Sequence, residues 1–242
     1  MIPIRDSVPS RTFPFITYLF IAANVGVFLY MQTLHAEQLH FFVVRLGFVP
    51  VRFSAMIRDG LHGTPVEQAF PIFSSLFIHG SWFHLISNMW SLWLFGDNVE
   101  DSVGHFKYFL FYILAGISAS LIHYLFNMFS PIPVIGASGA ISAIMGAYVV
   151  LFPLARITTL VPLLWIPLFI KVPALFFMGI WFISQVMSGI SALGQNEFGG
   201  GIAWWAHIGG FVFGLFVINF IRKRNWRHRC SSDDDQYDCQ YD

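Results

Sequence analysis

VIGASGAISAIMG, Val134–Gly146, sets Ser138 between two glycines at the mouth of an apolar run. Ser138, Ser142 and Gly146 recur at spacing four, which on a helix is one face of small side chains. The chain on either side is no more polar. Of 242 residues, 56% are hydrophobic and 11% are charged, whereas a soluble domain carries about 25% charged residues. That is too little polar surface to cover a globule in water, so lipid is the expected solvent for most of the chain. The net charge of zero conceals charges gathered in a few short islands. The cysteines, Cys230 and Cys239, both fall in the polar tail, so no disulfide framework supports the fold. No nucleic-acid partner and no cofactor are expected.

A bilayer crossing needs about 20 apolar residues. On that basis membrane helices are predicted near 13–33, 72–96, 106–129, 136–153, 171–190 and 203–221, which makes an all-α polytopic membrane protein with a six-helix bundle. The first apolar run is long enough to span and lacks a small-residue cleavage site, so it reads as a helix and not as a signal peptide. Residues 1–12 form an N-terminal segment and 13–221 the membrane domain. The first loop, 34–71, mixes Arg45, Arg52 and Arg58 with aromatics and is expected to be ordered. RITTLVPLLWIPLFIK, from Arg156 to Lys171, is apolar but interrupted by Pro162 and Pro167. It reads as a connector lying at the interface, or as an extension of a helix. Residues 222–242, basic and then acidic without aliphatic side chains, read as a disordered tail.

Lys and Arg set the orientation. Arg222, Lys223, Arg224, Arg227 and Arg229 follow the last span directly, which places that end inside. Six spans then put the N-terminus inside as well, with Arg5 and Arg11. A compact six-span core is expected in a plasma (inner) membrane, with its active site facing the extracytoplasmic side.

That topology brings three polar positions to one depth. Spans two, four and six run in the same direction, so their first turns share a leaflet. Ser138 begins span four, His207 lies about one turn into span six, and His84 and Asn88 share a face of span two at spacing four. Polar groups in a membrane span are costly and point to function, although a lone serine there more often serves packing. Here the two readings merge. The small faces of Ser138–Gly146 and Gly210–Gly214 allow two helices to approach until His207 reaches the Ser138 hydroxyl. A hydroxyl needs a base to become a nucleophile, and the resulting oxyanion needs fixed donors. No carboxylate lies at this depth, so the pattern is a Ser–His dyad. A three-histidine metal site from His79, His84 and His207 ranks below it, because no cysteine or buried carboxylate supports it and the serine would have no role. No metal is expected.

These residues resemble the rhomboid family of intramembrane serine proteases. The family's G-x-S-G appears as Gly136-Ala137-Ser138-Gly139, its H-x-x-x-N as His84 to Asn88, and its A-H-x-x-G as Ala206-His207-Ile208-Gly209-Gly210. All three stand in order at the starts of even-numbered spans. The resemblance implies Ser138 as nucleophile, His207 as general base, and an oxyanion hole from the Ser138 N–H, His84 and Asn88. It places His79 near the cavity and gives Gly136, Gly139 and Gly210 a supporting part. FGDNVED also matches, with Asp97, Asn98 and Glu100 read as turn and capping residues for span three. Two departures stand out. The first loop lacks the Trp-Arg pair that many relatives carry, and Ser142 stands where some relatives have a tyrosine stacked on the catalytic histidine.

The resemblance implies substrates that are transmembrane segments of other membrane proteins, cleaved within the bilayer. A helix hides its carbonyls, so residues that weaken helices should mark the cut. Access is expected past span five, with Phe177 and Trp181, beneath a lid formed by SALGQNEFGGG, residues 191–201. The alternatives are a pseudoprotease that binds membrane clients without cutting them, and a channel or transporter. The first usually lacks the serine or histidine, and the second would show repeats or a mid-membrane charge.

Overall fold

Apolar length shapes the helices. The computed structural model describes residues 2–59, 65–163, 166–193, 202–223, 228–233 and 236–241. The order is β1 (Ile2–Arg5), α1 (Phe15–Gln32), α2 (Ala36–Leu46), α3 (Pro50–Asp59), α4 (Pro65–Ser74), a 3-10 turn (Ser75–Phe77), α5 (Trp82–Val103), α6 (His105–Phe126), α7 (Ser138–Leu151), β2 (Arg156–Leu163), β3 (Ile166–Pro173), α8 (Ala174–Leu193), α9 (Trp204–Ile221), β4 (His228–Asp233) and β5 (Gln236–Tyr241). Four of these helices, α1, α6, α8 and α9, are long and apolar enough to cross a bilayer. Their exposed aromatic and aliphatic side chains, such as Phe106, Phe176 and Phe220, suit lipid and not water.

The remaining two spans depart from simple rods. Span two is not one helix over 72–96: Ala69–Phe77 and Trp82–Val103 meet at 86°. Ile78 is extended, and the Ser81 hydroxyl accepts the His84 N–H at 3.1 Å, so α5 starts at Trp82. It then runs on through FGDNVED to Gly104, whose φ of +87° ends it. The turn predicted at that motif is therefore helix. α7 has 14 residues, about 21 Å of helix, which is short of the roughly 30 Å hydrocarbon core. Every residue from Gly139 to Tyr148 is buried. α7 is thus the central post of the bundle, and small side chains let neighbours reach it on every side.

Its closest neighbour is α9. A methyl group added to Gly210 would strike the Gly139 carbonyl, one on Gly214 the Ala143 carbonyl, and one on Gly146 the Phe211 carbonyl. The two backbones are in contact along the small faces seen in the sequence. The other face of Gly139 meets α6, where an added Cβ would lie 2.6 Å from the Ala119 methyl.

At the opposite end from Ser138, the chain ends and connectors gather. The connector read as interfacial or helical is a β-hairpin, β2 against β3, with Pro162 opposite Pro167 near its tip. β1 adds an antiparallel third strand, pairing Ile2 with Leu160. The β-branched residues Ile157, Thr158, Thr159, Ile170 and Val172 favour strands, and prolines stop a helix. The Arg156 N–H also donates to the Ser7 hydroxyl at 2.9 Å. Lys223, just past α9, donates its N–H to the Ser102 carbonyl and its ammonium to that of Asp101. The N-terminus, the α5–α6 corner, the hairpin and the end of α9 therefore share one side, as an even number of spans requires. The tail, predicted to be disordered, instead pairs β4 with β5, Cys230 opposite Cys239. A two-stranded hairpin of this kind is marginal alone in water.

Glu100 also has partners that its sequence position does not suggest. Fully buried in α5, it accepts the Ile16 and Thr17 N–H groups at 2.8 Å each and the Thr17 hydroxyl at 2.7 Å. It caps α1, where a negative charge meets the positive helix end, while its Oε1 also lies 2.6 Å from Nδ1 of His105, the first residue of α6. Asp101 beside it accepts the Arg11 N–H and the Thr12 hydroxyl.

Candidate active site

Ser138 is the first residue of α7, and no side chain caps that helix. The first-turn N–H groups, which have no partner within the helix, thus open beside the hydroxyl. α7 is shorter than the bilayer core is thick, so a span made of it leaves at least one of its ends within the hydrocarbon. The strand leading to Ser138 is tethered. Val134 and Phe48 exchange backbone hydrogen bonds, and the Gly136 N–H donates to the Ser75 carbonyl at 2.9 Å. The first loop and the 3-10 turn thereby hold the approach to the serine.

His207 lies on α9, one turn before Gly210. Its Nε2 is 2.7 Å from Ser138 Oγ. The contact follows from the backbone approach at Gly210, since a larger residue there would separate α9 from Gly139. Ser142, one turn below Ser138, donates its hydroxyl proton to the Ser138 carbonyl at 2.6 Å.

His84 and Asn88 approach from α5. Gly136, at φ +121°, would place an added Cβ 2.7 Å from His84 Nε2 and 3.7 Å from Asn88 Nδ2. Both side chains therefore lie against the residue two before Ser138. His79, buried in the bend before α5, accepts from Asn88 Nδ2 at 3.0 Å. Its ring meets that of His84 edge-on, with centroids 4.9 Å apart. The structure thus brings together Ser138, His207, His84, Asn88, His79, Gly136, Gly139 and Gly210. The proposed lid at 191–201 falls outside the described residues from 194 onward.

One residue was missed in the sequence. Gln185 Oε1 lies 2.8 Å from His207 Nδ1. It comes from α8, between Trp181 and Gly189. Trp181 and Trp204 flank the same imidazole, with centroids 6.1 and 6.2 Å away. The available signal was an uncharged but strongly polar amide in the middle of a span otherwise free of such groups.

The Rhomboid domain family model matches residues 66–224, more than half of the chain. The mitochondrial presenilin-associated rhomboid-like protein of Bos taurus is 26% identical over 167 residues, 66% of this chain and 40% of the relative. Mitochondrial rhomboid protein 1 of Saccharomyces cerevisiae is 28% identical over 162 residues, 65% of this chain and 43% of the relative. The chloroplastic rhomboid-like protein 11 of Arabidopsis thaliana is 29% identical over 157 residues, 62% and 51% respectively. The chain spans about half or less of the length of these relatives. Their names correct the expectation of a plasma membrane, because they point to organellar membranes. Counts of Lys and Arg distinguish the two sides of a membrane but carry nothing about which membrane it is. The three motifs converge on one site within the matched region, and the chain belongs to the rhomboid family.

Proposed function

We propose that this chain is an intramembrane serine endopeptidase that cleaves transmembrane segments of other membrane proteins, in an organellar membrane like those of its relatives. The observation that carries the reading is the 2.7 Å contact between His207 Nε2 and Ser138 Oγ, made across two helices whose backbones touch. In the reaction, Ser138 Oγ attacks the scissile carbonyl as its proton passes to His207 Nε2. The oxyanion forms at the open N-terminus of α7, where the Ser138 N–H, the His84 ring and the Asn88 amide are donors. Asn88 gives one N–H to His79, which fixes its plane and leaves the second N–H for the oxyanion. His207 returns the proton to the leaving amine. It then takes one from water as the acyl-enzyme is hydrolysed, and Ser138 is regenerated. Substrates reach the site from the lipid side past α8. Helix-weakening residues at the scissile bond are favoured, because the carbonyl must first leave its i→i−4 hydrogen bond.

The test is labelling of the detergent-purified protein with a fluorophosphonate probe, alongside cleavage of a membrane-embedded substrate. Wild type is expected to label, with labelling lost in Ser138→Ala and reduced at least about 10³-fold in His207→Ala. Full labelling of His207→Ala, or none of a folded wild type, sinks the dyad and shifts weight to a client-binding relative without activity.

A further inference from the structure

We infer that Gln185 is the positioning residue of the catalytic base: its amide oxygen fixes the tautomer and the plane of His207. The inference rests on the Ser138–His207 reading above and completes it with a group from a third helix.

The argument follows the hydrogen bonds around one ring. For Nε2 to receive the Ser138 proton it must carry a lone pair, so the neutral imidazole must hold its proton on Nδ1. That proton needs an acceptor 2.8 Å away, and Gln185 stands there. An amide presents oxygen or nitrogen, and the surroundings select which. Gln185 Nε2 donates to Ser184 Oγ at 3.1 Å, and Ser184 Oγ donates its own proton to the Trp181 carbonyl at 2.6 Å. With its hydroxyl proton so committed, Ser184 can only accept from the amide nitrogen. The amide oxygen is therefore turned towards His207. The line of donors runs from Ser138 Oγ to His207 Nε2, and from His207 Nδ1 to Gln185 Oε1.

Two further observations favour a positioning role over chance packing. Gln185 is 93% buried (7% exposed) in a helix whose outer face is Ile180, Ile183 and Met187. An amide there is costly unless paired. Ser142, one turn below Ser138, gives its hydroxyl proton to the Ser138 carbonyl and leaves the ring to be oriented from elsewhere. Because Gln185 rides on α8, the helix beside the proposed route of access, a substrate that displaces α8 would also release the base.

The experiment compares Gln185→Leu, Gln185→Asn and Gln185→Glu with wild type and Ser138→Ala in the full chain. Readouts are the fluorophosphonate labelling rate, kcat and KM for a membrane-embedded substrate, and the thermal midpoint. Leucine removes the acceptor; asparagine keeps the amide but is one methylene too short; glutamate restores an oxygen. The expected result is a loss of about tenfold or more in labelling rate and kcat for the leucine and asparagine variants. KM should change little, and glutamate should recover most of the lost rate. Should the leucine variant fold poorly, the asparagine and glutamate pair carries the comparison. Wild-type rates in all three variants, or a glutamate variant as slow as leucine at an unchanged midpoint, overturn the inference. Absence of labelling in wild type itself overturns the dyad, and the inference falls with it.

Discussion

At the residue scale the site depends on what is small as much as on what reacts. Gly136 has a φ of +121° and no room for a methyl group beneath His84. Only glycine adopts that conformation at low cost, and a side chain would strain the backbone by about 1–3 kcal/mol. Gly136→Ala is expected to displace His84 from the oxyanion side and slow labelling by about tenfold or more, with a lower thermal midpoint. A Gly136→Ala variant that matches wild type in both would show that the close approach has no bearing on activity. Gly210 acts at one remove, since its missing side chain brings His207 to Ser138.

At the element scale the main lesson is that helix ends are fastened by side chains distant in sequence. α1 begins at Phe15 without a local cap. Its first N–H groups are instead satisfied by Glu100 from the far end of α5. Glu100→Ala leaves these groups and the Thr17 hydroxyl without their buried acceptor, at a cost of about 1–3 kcal/mol. It should appear first as faster amide exchange at Ile16 and Thr17. Protection equal to wild type at both amides would remove the capping role. α5, by contrast, is fastened locally: the bend at 78–81 and the Ser81 cap decide where the helix begins, and so the depth of His84 and Asn88.

On the scale of the whole molecule, the end opposite Ser138 is a polar clasp around the Asp6 carboxyl. Asp6 precedes α1, yet its carboxylate receives the Tyr148 hydroxyl of α7 at 2.5 Å and the Asn98 amide of α5 at 2.9 Å. Burial raises its pKa from 3.8 to about 7; the Tyr148 hydrogen bond works against this, and the neighbouring Asp97 carboxylate adds to it. A folded-state pKa above the unfolded one means that the protonated form is favoured by folding. The stabilisation is full below the unfolded pKa and is lost as pH rises through about 7. Wild type is therefore expected to lose thermal stability from about pH 4 to pH 7, whereas Asp6→Asn should have a flatter profile over that range. Identical profiles for the two would show that Asp6 does not govern the clasp.

Legibility differed by the kind of information involved. Apolar length was enough to place α1, α6, α8 and α9, because a bilayer accepts little else. Ser138, His84, Asn88 and His207 were legible because polar groups in a span are costly and the span count sets their depth. The hairpin Arg156–Pro173 was not, since its two faces are both apolar and the period of two is hidden. The fate of FGDNVED was not either, because the α1 amides that Glu100 accepts lie 84 and 83 residues away in sequence. Gln185 was visible as a polar residue in an apolar helix, but its target was not, because periodicity within α8 says nothing about how α8 faces α9. Local chemistry and hydrophobic length are written along one chain and can be read there. Which acceptor faces Nδ1 and which carboxylate closes α1 depend on contacts between distant segments, which exist only after the helices have packed.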